Sequence, residues 1–573
     1  MRLDALAYLL GRSARNRFRA SLARLRKPMY VAFLVVGLLY LALIFYRPEG
    51  DAAASPTAYL PIQRGFGLLS AFLLAVLAAK WWIFGASTIP LAFTPAEIQL
   101  LFPAPLRRRD LILYRLLRVQ ISMLVSAAFI SLLLWRSRGA GYPLALPLRM
   151  IGLWILFATS FMHQMGVTLV RTAAAQRGRG LARNLPALVV VLTAIGLLAY
   201  SLAPALLSIH SIGDVSGALG RVGDAMHQPI PSAILAPFRW VIAPAYAESN
   251  HAWLVAIGPA LLLLVFHYIW VLRADAVFED AAVDASARRA ARIRARATTT
   301  RPATTNTRTF VRLSAHGPAW SAIVWKNVTA AARGLKLTAT IRFTFVLVAT
   351  YLIWRAVGFR ATHEDSPVVL VGLAALVAVA YLALAGPLTI RNDLRADLAH
   401  LPMLRTYPLH GRTVVFAEVL PSTLTLTAMQ VALLAVAFGT LTERPIGERF
   451  GVLLAAIVIL PVVNLMSLTI QNAIALLVPA WVRIGGPLDA GQIAFEALGQ
   501  RALGAIAALM ALAIALAPAT GAAVFVSILA GGSPAAVTLG VVIGLALAAF
   551  EITLAMRWLG GVFERTDPIS MRD

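Results

Sequence analysis

Long apolar runs, each broken by a shorter polar or charged stretch, repeat along this chain from residue 28 to residue 556. A helix needs about 20 such residues to cross the hydrocarbon core of a bilayer, since each advances it by about 1.5 Å. Twelve segments reach that length: 28–46, 66–86, 114–135, 145–170, 185–208, 253–272, 339–357, 367–390, 415–438, 450–477, 502–529 and 534–556. The pattern therefore predicts an all-α, polytopic membrane fold with about twelve spans.

Composition narrows the alternatives. Apolar residues make up 60% of the 573 positions and charged ones 13%, against about 25% charged in soluble globular proteins. A water-soluble fold of this size would have too little polar material to cover its outside. The mean hydropathy of +0.79 points the same way, and collagen-like, disordered and disulfide-scaffold classes are excluded. The absence of cysteine removes disulfides, thiolate metal sites and cysteine nucleophiles.

The net charge of +26 would suit nucleic acid, but its placement argues otherwise. With twelve spans, the side holding both termini carries 36 of the 51 Lys and Arg, eight of them before Pro28 and twelve in 273–338. Cytoplasmic loops collect cations in this way, so both termini are expected in the cytoplasm and no nucleic-acid partner is needed. Arg12, Arg15, Arg17 and Arg19 precede the first span without a short apolar stretch and cleavage site, which reads as an uncleaved start.

The longest polar interruption runs from Arg273 to about Lys336 and includes a Thr-rich stretch at 298–309. Low hydrophobicity there suits a flexible linker. The expected organisation is a first six-span half at 1–272, a basic linker at 273–317 and a second half at 318–573. A shift of 303 residues pairs Leu101 with Leu404, Pro105 with Pro408, Leu106 with Leu409 and Arg109 with Arg412, and Val277-Phe278-Glu279 recurs as Val562-Phe563-Glu564. Because each half holds an even number of spans, the repeat is parallel, about an axis along the membrane normal.

Between the second and third spans, Thr94-Pro95-Ala96-Glu97 opens a helix: Thr94 caps, Pro95 suits the first position and Glu97 completes a capping box. It runs through Leu100 and stops at Pro103 and Pro105, and Arg107, Arg108 and Arg109 lead into the third span. An echo lies at 397–412, with Tyr407, Pro408 and Arg412. Stretches 5–26 and 318–336 precede the halves as cation-rich, interface-compatible helices, the second with Trp320, Val324 and Val328 at four-residue spacing. On the outside, only 209–252 is long, and its prolines and aromatics predict short broken or re-entrant helices.

Polar residues inside spans are functional candidates, because burying them in lipid is costly. His163 and Gln164 lie on the fourth span, Asn464, Gln471 and Asn472 on the tenth, and Glu551 on the last, where a bridge to His267 is one use for it. Each serves either a pathway or an interhelical hydrogen bond. No phosphate-cradling Gly-Lys-Ser/Thr loop, His-Glu-x-x-His pair or Gly-x-Ser-x-Gly elbow occurs. The sequence presents no catalytic constellation and no metal site.

An interfacial helix, two spans, a short cytoplasmic helix ending in Pro103-Ala104-Pro105-Leu106-Arg107-Arg108-Arg109-Asp110, then four spans resembles the membrane subunit of ABC type-2 transporters. Phe93-Thr94-Pro95-Ala96-Glu97, Phe278-Glu279-Asp280-Ala281-Ala282 and Leu404-Arg405-Thr406-Tyr407-Pro408-Leu409 are most similar to the ABC exporter permeases in which two such halves are fused. The resemblance implies a bacterial inner-membrane exporter subunit that is not itself an enzyme. ATP and Mg would sit on a separate cytoplasmic ATPase dimer. It implies an ATPase-coupling role for Thr94, Pro95, Glu97, Leu100, Pro105, Arg107, Arg108 and Arg109, and less fully for Pro408 and Arg412. In that copy His410 and Gly411 replace two of the arginines. The alternatives are an ion-coupled secondary transporter, needing Glu551 or His163 in its pathway, and a membrane-embedded glycosyl- or acyltransferase, needing acidic or His clusters at a rim.

Overall fold

The computed structural model describes residues 56–85, 108–133, 144–176, 180–207, 215–273, 316–334, 368–440, 445–477 and 498–566, with isolated positions between 8 and 35 and at 313. The expected spans at 28–46 and 339–357 and the Thr-rich linker lie outside these residues or nearly so, as do Thr94, Pro95, Glu97, Leu100, Pro105 and Arg107. The described secondary structure is all helical. Nine of its helices are long and apolar enough to cross a membrane. A tenth, Arg108–Leu133, offers the shorter apolar stretch Leu116–Leu132. Packing groups the chain into two compact units, residues 1–205 with 219–305 and 491–502, and residues 306–490 with 206–218 and 503–573.

The first unit comprises α1 (Pro56–Phe84), α2 (Arg108–Leu133), α3 (Leu146–Gln176), most of α4 (Gly180–Leu207), most of α5 (Val215–His227), α6 (Pro229–Ile242), a 3-10 turn (Ala243–Tyr246) and α7 (Asn250–Arg273). Its core is α3, whose span is 78% buried against 11% for α7. Leu116, Val119, Met123 and Ala127, one face of α2, meet Leu153, Phe157, Met162, Met165 and Leu169 of α3 around Trp81. Two glycines let neighbours reach the α3 backbone: a Cβ on Gly152 would meet Pro244 and Ala245 main chain at 2.6 Å, and one on Gly166 would meet the Trp270 ring at 2.6 Å. The short helices expected outside are α5 and α6, and Ser70 Oγ to Tyr246 OH (2.9 Å) and Trp253 Nε1 donating to Leu148 O (2.9 Å) fasten the adjoining segment to the spans.

The second unit comprises α8 (Trp320–Gly334), α9 (Val368–Thr389), the short turns α10 (Leu394–Asp397), a 3-10 turn (Leu398–His400) and α11 (Leu401–Leu404), then α12 (Gly411–Thr440), α13 (Ile446–Leu477), most of α14 (Leu498–Leu529) and α15 (Pro534–Arg565). Here α12 is central, packed against α8, α9, α13 and α15. Small residues set its close approaches, since in lipid helices associate through packing rather than through a hydrophobic drive. Gly386 of α9 admits Leu426 of α12, and Gly540 and Gly544 of α15 lie on Ala519 and Ala523 of α14. Leu254, Leu262 and Phe266 on α7 and Ile514, Phe525 and Ile528 on α14 stay exposed, as lipid-facing side chains do.

On α8 the buried positions are Ile323, Asn327 and Thr329, while Trp320 is 36% exposed and Val324 and Val328 are half-buried. The stripe of Trp320, Val324 and Val328 is thus at least partly open, while the inward face meets a polar network described below.

A close crossing joins the start of α12 to the end of α15. A Cβ on Gly560 would run into the Arg412 amide nitrogen and lie 2.6 Å from Arg412 Cα. Gly560→Ala should therefore cost about 1–3 kcal/mol, read as a lower thermal midpoint in detergent. Gly258→Ala on α7, where nothing lies within 4 Å of the added carbon, should leave the midpoint unchanged.

Candidate functional site: a braced turn

The chain leaving α9 must satisfy the carbonyls that its last turn no longer pairs. Arg395 does so. Its Nη1 donates to Pro387 O (2.7 Å) and its Nη2 to Ile390 O (2.7 Å). The same guanidinium grips Asp393, Nε to Oδ1 at 2.9 Å and Nη2 to Oδ2 at 2.6 Å. Asp393 Oδ1 also accepts from the Arg395 amide at 3.0 Å, so it caps the N-terminus of α10. Arg395 and Asp393 are 2% and 0% exposed, a buried pair in which donors and acceptors are matched. Asn472 of α13 adds its Oδ1 to the same amide at 3.2 Å and donates its Nδ2 to Leu468 O at 2.7 Å.

A second knot ties α8 to this turn. Lys326 Nζ donates to Asp397 and, at 3.0 Å, to Glu418 Oε1. The other oxygen of Glu418 accepts from Asn327 Nδ2 at 2.6 Å. Asn392 Nδ2 donates to Asn327 O, and Ser422 Oγ donates to Asn392 O at 2.8 Å. Burial disfavours the Lys326 charge, but Glu418 and Asp397 outweigh it and hold the ammonium above its ordinary value. The clamp thus keeps its cation at every pH below the usual lysine range. Glu418, whose side chain is fully buried, depends on that cation in return.

With its underside fixed, the turn presents a mixed outer face. Leu394, Leu398, Leu401 and Leu404 are buried among α12, α13 and α15 side chains. Met403 (54%) and Tyr407 (38%) are exposed beside Pro402, Arg405, Thr406, Pro408 and His410. Arg405 donates to Glu564 O and, at 3.0 Å, to Thr566 O, while Glu564 Oε1 accepts from the Gly411 amide at 2.6 Å, an anion at the start of α12. Between α8 and the turn lies a groove of about 380 Å³, with Leu313, Ile323, Trp325, Tyr407, Pro408 and Leu409 in its walls.

Of the residues singled out from sequence, Pro408 stands exposed in the turn and Arg412 is the exposed second residue of α12. Arg108 and Arg109 begin α2. Within the second unit the polar candidates serve separate contacts. Asn464 joins α13 to α12 through Gln430 Oε1 (2.7 Å) and Thr427 Oγ1 (2.9 Å). Gln164 and Gln471 are buried, and Asn472 braces the turn. Glu551 is half-buried, with one carboxylate oxygen lacking a hydrogen-bond partner among the described residues.

His267, named above as a bridge partner for Glu551, is engaged within the first unit. His267 Nδ1 lies 2.7 Å from Leu263 O, and its Nε2 lies 3.1 Å from His163 Nδ1. Both of its ring nitrogens are thereby committed, and Trp270 packs against both imidazoles.

Sequence reasoning missed Asp393, Arg395 and Glu418. The signal for Glu418 was present: a carboxylate inside the apolar run 415–438 meets the same rule that flagged Glu551. Arg395 carried no such mark, because a cation just past a span reads as ordinary charge bias. Among the described residues, no group of three or more His, Asp or Glu is placed to hold a metal.

No curated protein and no solved structure matches the chain. The family described as Putative ABC exporter matches residues 3–565. That match covers nearly the full length, both units included, and with the helical, lipid-facing architecture it shows what the sequence resemblance implied: the chain belongs to the Putative ABC exporter family, as a membrane component of an ABC transporter.

Proposed function

We propose that this chain is the permease subunit of an exporter, moving its substrate with energy from ATP hydrolysed on a separate cytoplasmic ATPase dimer. One chain supplies both membrane halves, twelve spans in two parallel sets of six, with both termini cytoplasmic and the inner membrane as its site. The turn at 394–410 is one ATPase-facing lever, and 95–109 is its counterpart in the first half.

The observation that supports this reading is the two-sidedness of the turn. A lever must be stiff beneath and sticky above. Arg395, Asn472, Lys326 and Glu418 fix the underside to α9, α13, α8 and α12, and Met403, Tyr407 and Pro408 offer an exposed apolar edge among cations. A surface loop with no partner has no use for that arrangement. Apolar anchors of this kind dominate protein interfaces, whereas rim cations mainly steer the approach.

Met403→Glu with Tyr407→Glu should leave the chain inserted and its thermal midpoint intact, since both side chains are exposed, yet weaken co-purification with the ATPase about tenfold or more. Substrate-stimulated hydrolysis should fall in parallel. The chain alone should hydrolyse no ATP, and turnover by the purified polypeptide would overturn the proposal. Unaltered co-purification of the double variant, together with failure to detach the ATPase by Leu100→Pro or by reversing Arg107, Arg108 and Arg109 to Glu, would make both segments mere anchors.

The brace makes a separate prediction. Glu418→Gln keeps an acceptor for Asn327 and leaves Lys326 its Asp397 partner, so coupling should drop only partly. Glu418→Leu strands the buried Asn327 amide and should cost about 1–3 kcal/mol. Limited proteolysis at the turn, compared between the two variants, checks the ordering: the leucine variant should be cleaved faster, the glutamine variant near the parent rate.

A further inference from the structure

The two interfacial segments use their cations in opposite ways. In α8 the lysine is paired within the protein, to Asp397 and to the buried Glu418. Near the N-terminus the described positions are Tyr8, Gly11, Arg12, Arg15, Asn16, Arg19 and Ala23, all helical and all exposed. At 100° per residue, Arg12, Arg15 and Arg19 fall within an arc of about 60°, one narrow stripe about 10 Å long. Arg12 leans over the Tyr8 ring, 5.9 Å from its centre. Among the described residues no carboxylate pairs with any of the three arginines.

Three guanidinium groups in a row, with no acid among them, want an anionic surface. Among the described residues the segment adds to the arginines only Tyr8, Gly11, Asn16 and Ala23. It also sits nine residues before Pro28, where the first expected span enters the bilayer. That is about 14 Å even if the connection is helical, so the stripe is tethered at the membrane surface. Guanidinium groups bind phosphate oxygens in pairs, and basic side chains near an anionic leaflet each add about fivefold to attachment, about a hundredfold for three. We infer that Arg12, Arg15 and Arg19 form a binding stripe for anionic phospholipid headgroups, which holds the N-terminal segment against the cytoplasmic leaflet while α8 is held by the protein itself.

The absence of native cysteine makes the test clean. A spin label on Asn16→Cys, within the full chain in nanodiscs, reports its mobility and its exposure to a water-soluble relaxant. In discs containing roughly one-third phosphatidylglycerol the label should be slowed and shielded relative to discs of phosphatidylcholine alone, and 0.5 M salt (on the order of a threefold shorter screening length than low salt) should reverse this. Replacing Arg12, Arg15 and Arg19 together with Gln should abolish the difference while leaving ATPase co-purification unchanged. Identical spectra in the two lipids overturn the inference, and so does shielding that arises only when the ATPase is added. The salt reversal on the parent stripe decides the matter if the triple variant inserts poorly.

Discussion

Everything at the end of the second unit that carries the turn depends on one guanidinium. A membrane helix that stops must hand its last carbonyls to some donor, and the bilayer supplies none. Arg395 reaches back from the following turn to Pro387 O and Ile390 O while gripping Asp393, so the end of α9 and the start of α10 are closed by the same side chain. A buried ion pair by itself is weak support for a fold, because desolvation offsets attraction. Here the charges are compensated by carbonyls and an amide, and the chain is committed to a tight reversal rather than a loose loop.

That closure explains the remaining geometry. Once the turn is fixed, four leucines drop into the core and the intervening residues must face outward. The Lys326 clamp then makes α8 part of the same block, and Gly411 against Gly560 brings α15 into it. In the first unit, α3 plays the central part through contacts of a different character: glycines meeting main chain or indole, and two imidazoles hydrogen-bonded to each other.

The helices were legible in the sequence because bilayer thickness imposes a single length scale. Ten of the expected spans fall on described long helices, with ends that differ where polar residues continue the helix past the lipid, as α15 does to Arg565. The short helices at 215–242 were legible from proline and aromatic spacing. The site was legible only in outline. Tyr407-Pro408-Leu409 marked the turn, but its brace joins Lys326, Asn392, Glu418 and Asn472, positions up to 146 residues apart that no local pattern connects. Asn472 looked like a pathway residue because polarity within a span has two uses, and only its neighbours tell them apart.

The anchoring of the turn on the far end of the chain has a consequence for biosynthesis. Arg405 is made 159 residues before Glu564, whose carbonyl it holds, and Gly411 waits for the same residue's carboxylate. The seat of the turn therefore cannot close until α15 has been translated and inserted. A polypeptide still on the ribosome, or one cut short within α15, presents an incomplete surface. The order of translation therefore sets when this surface first exists: it is absent until α15 is in place.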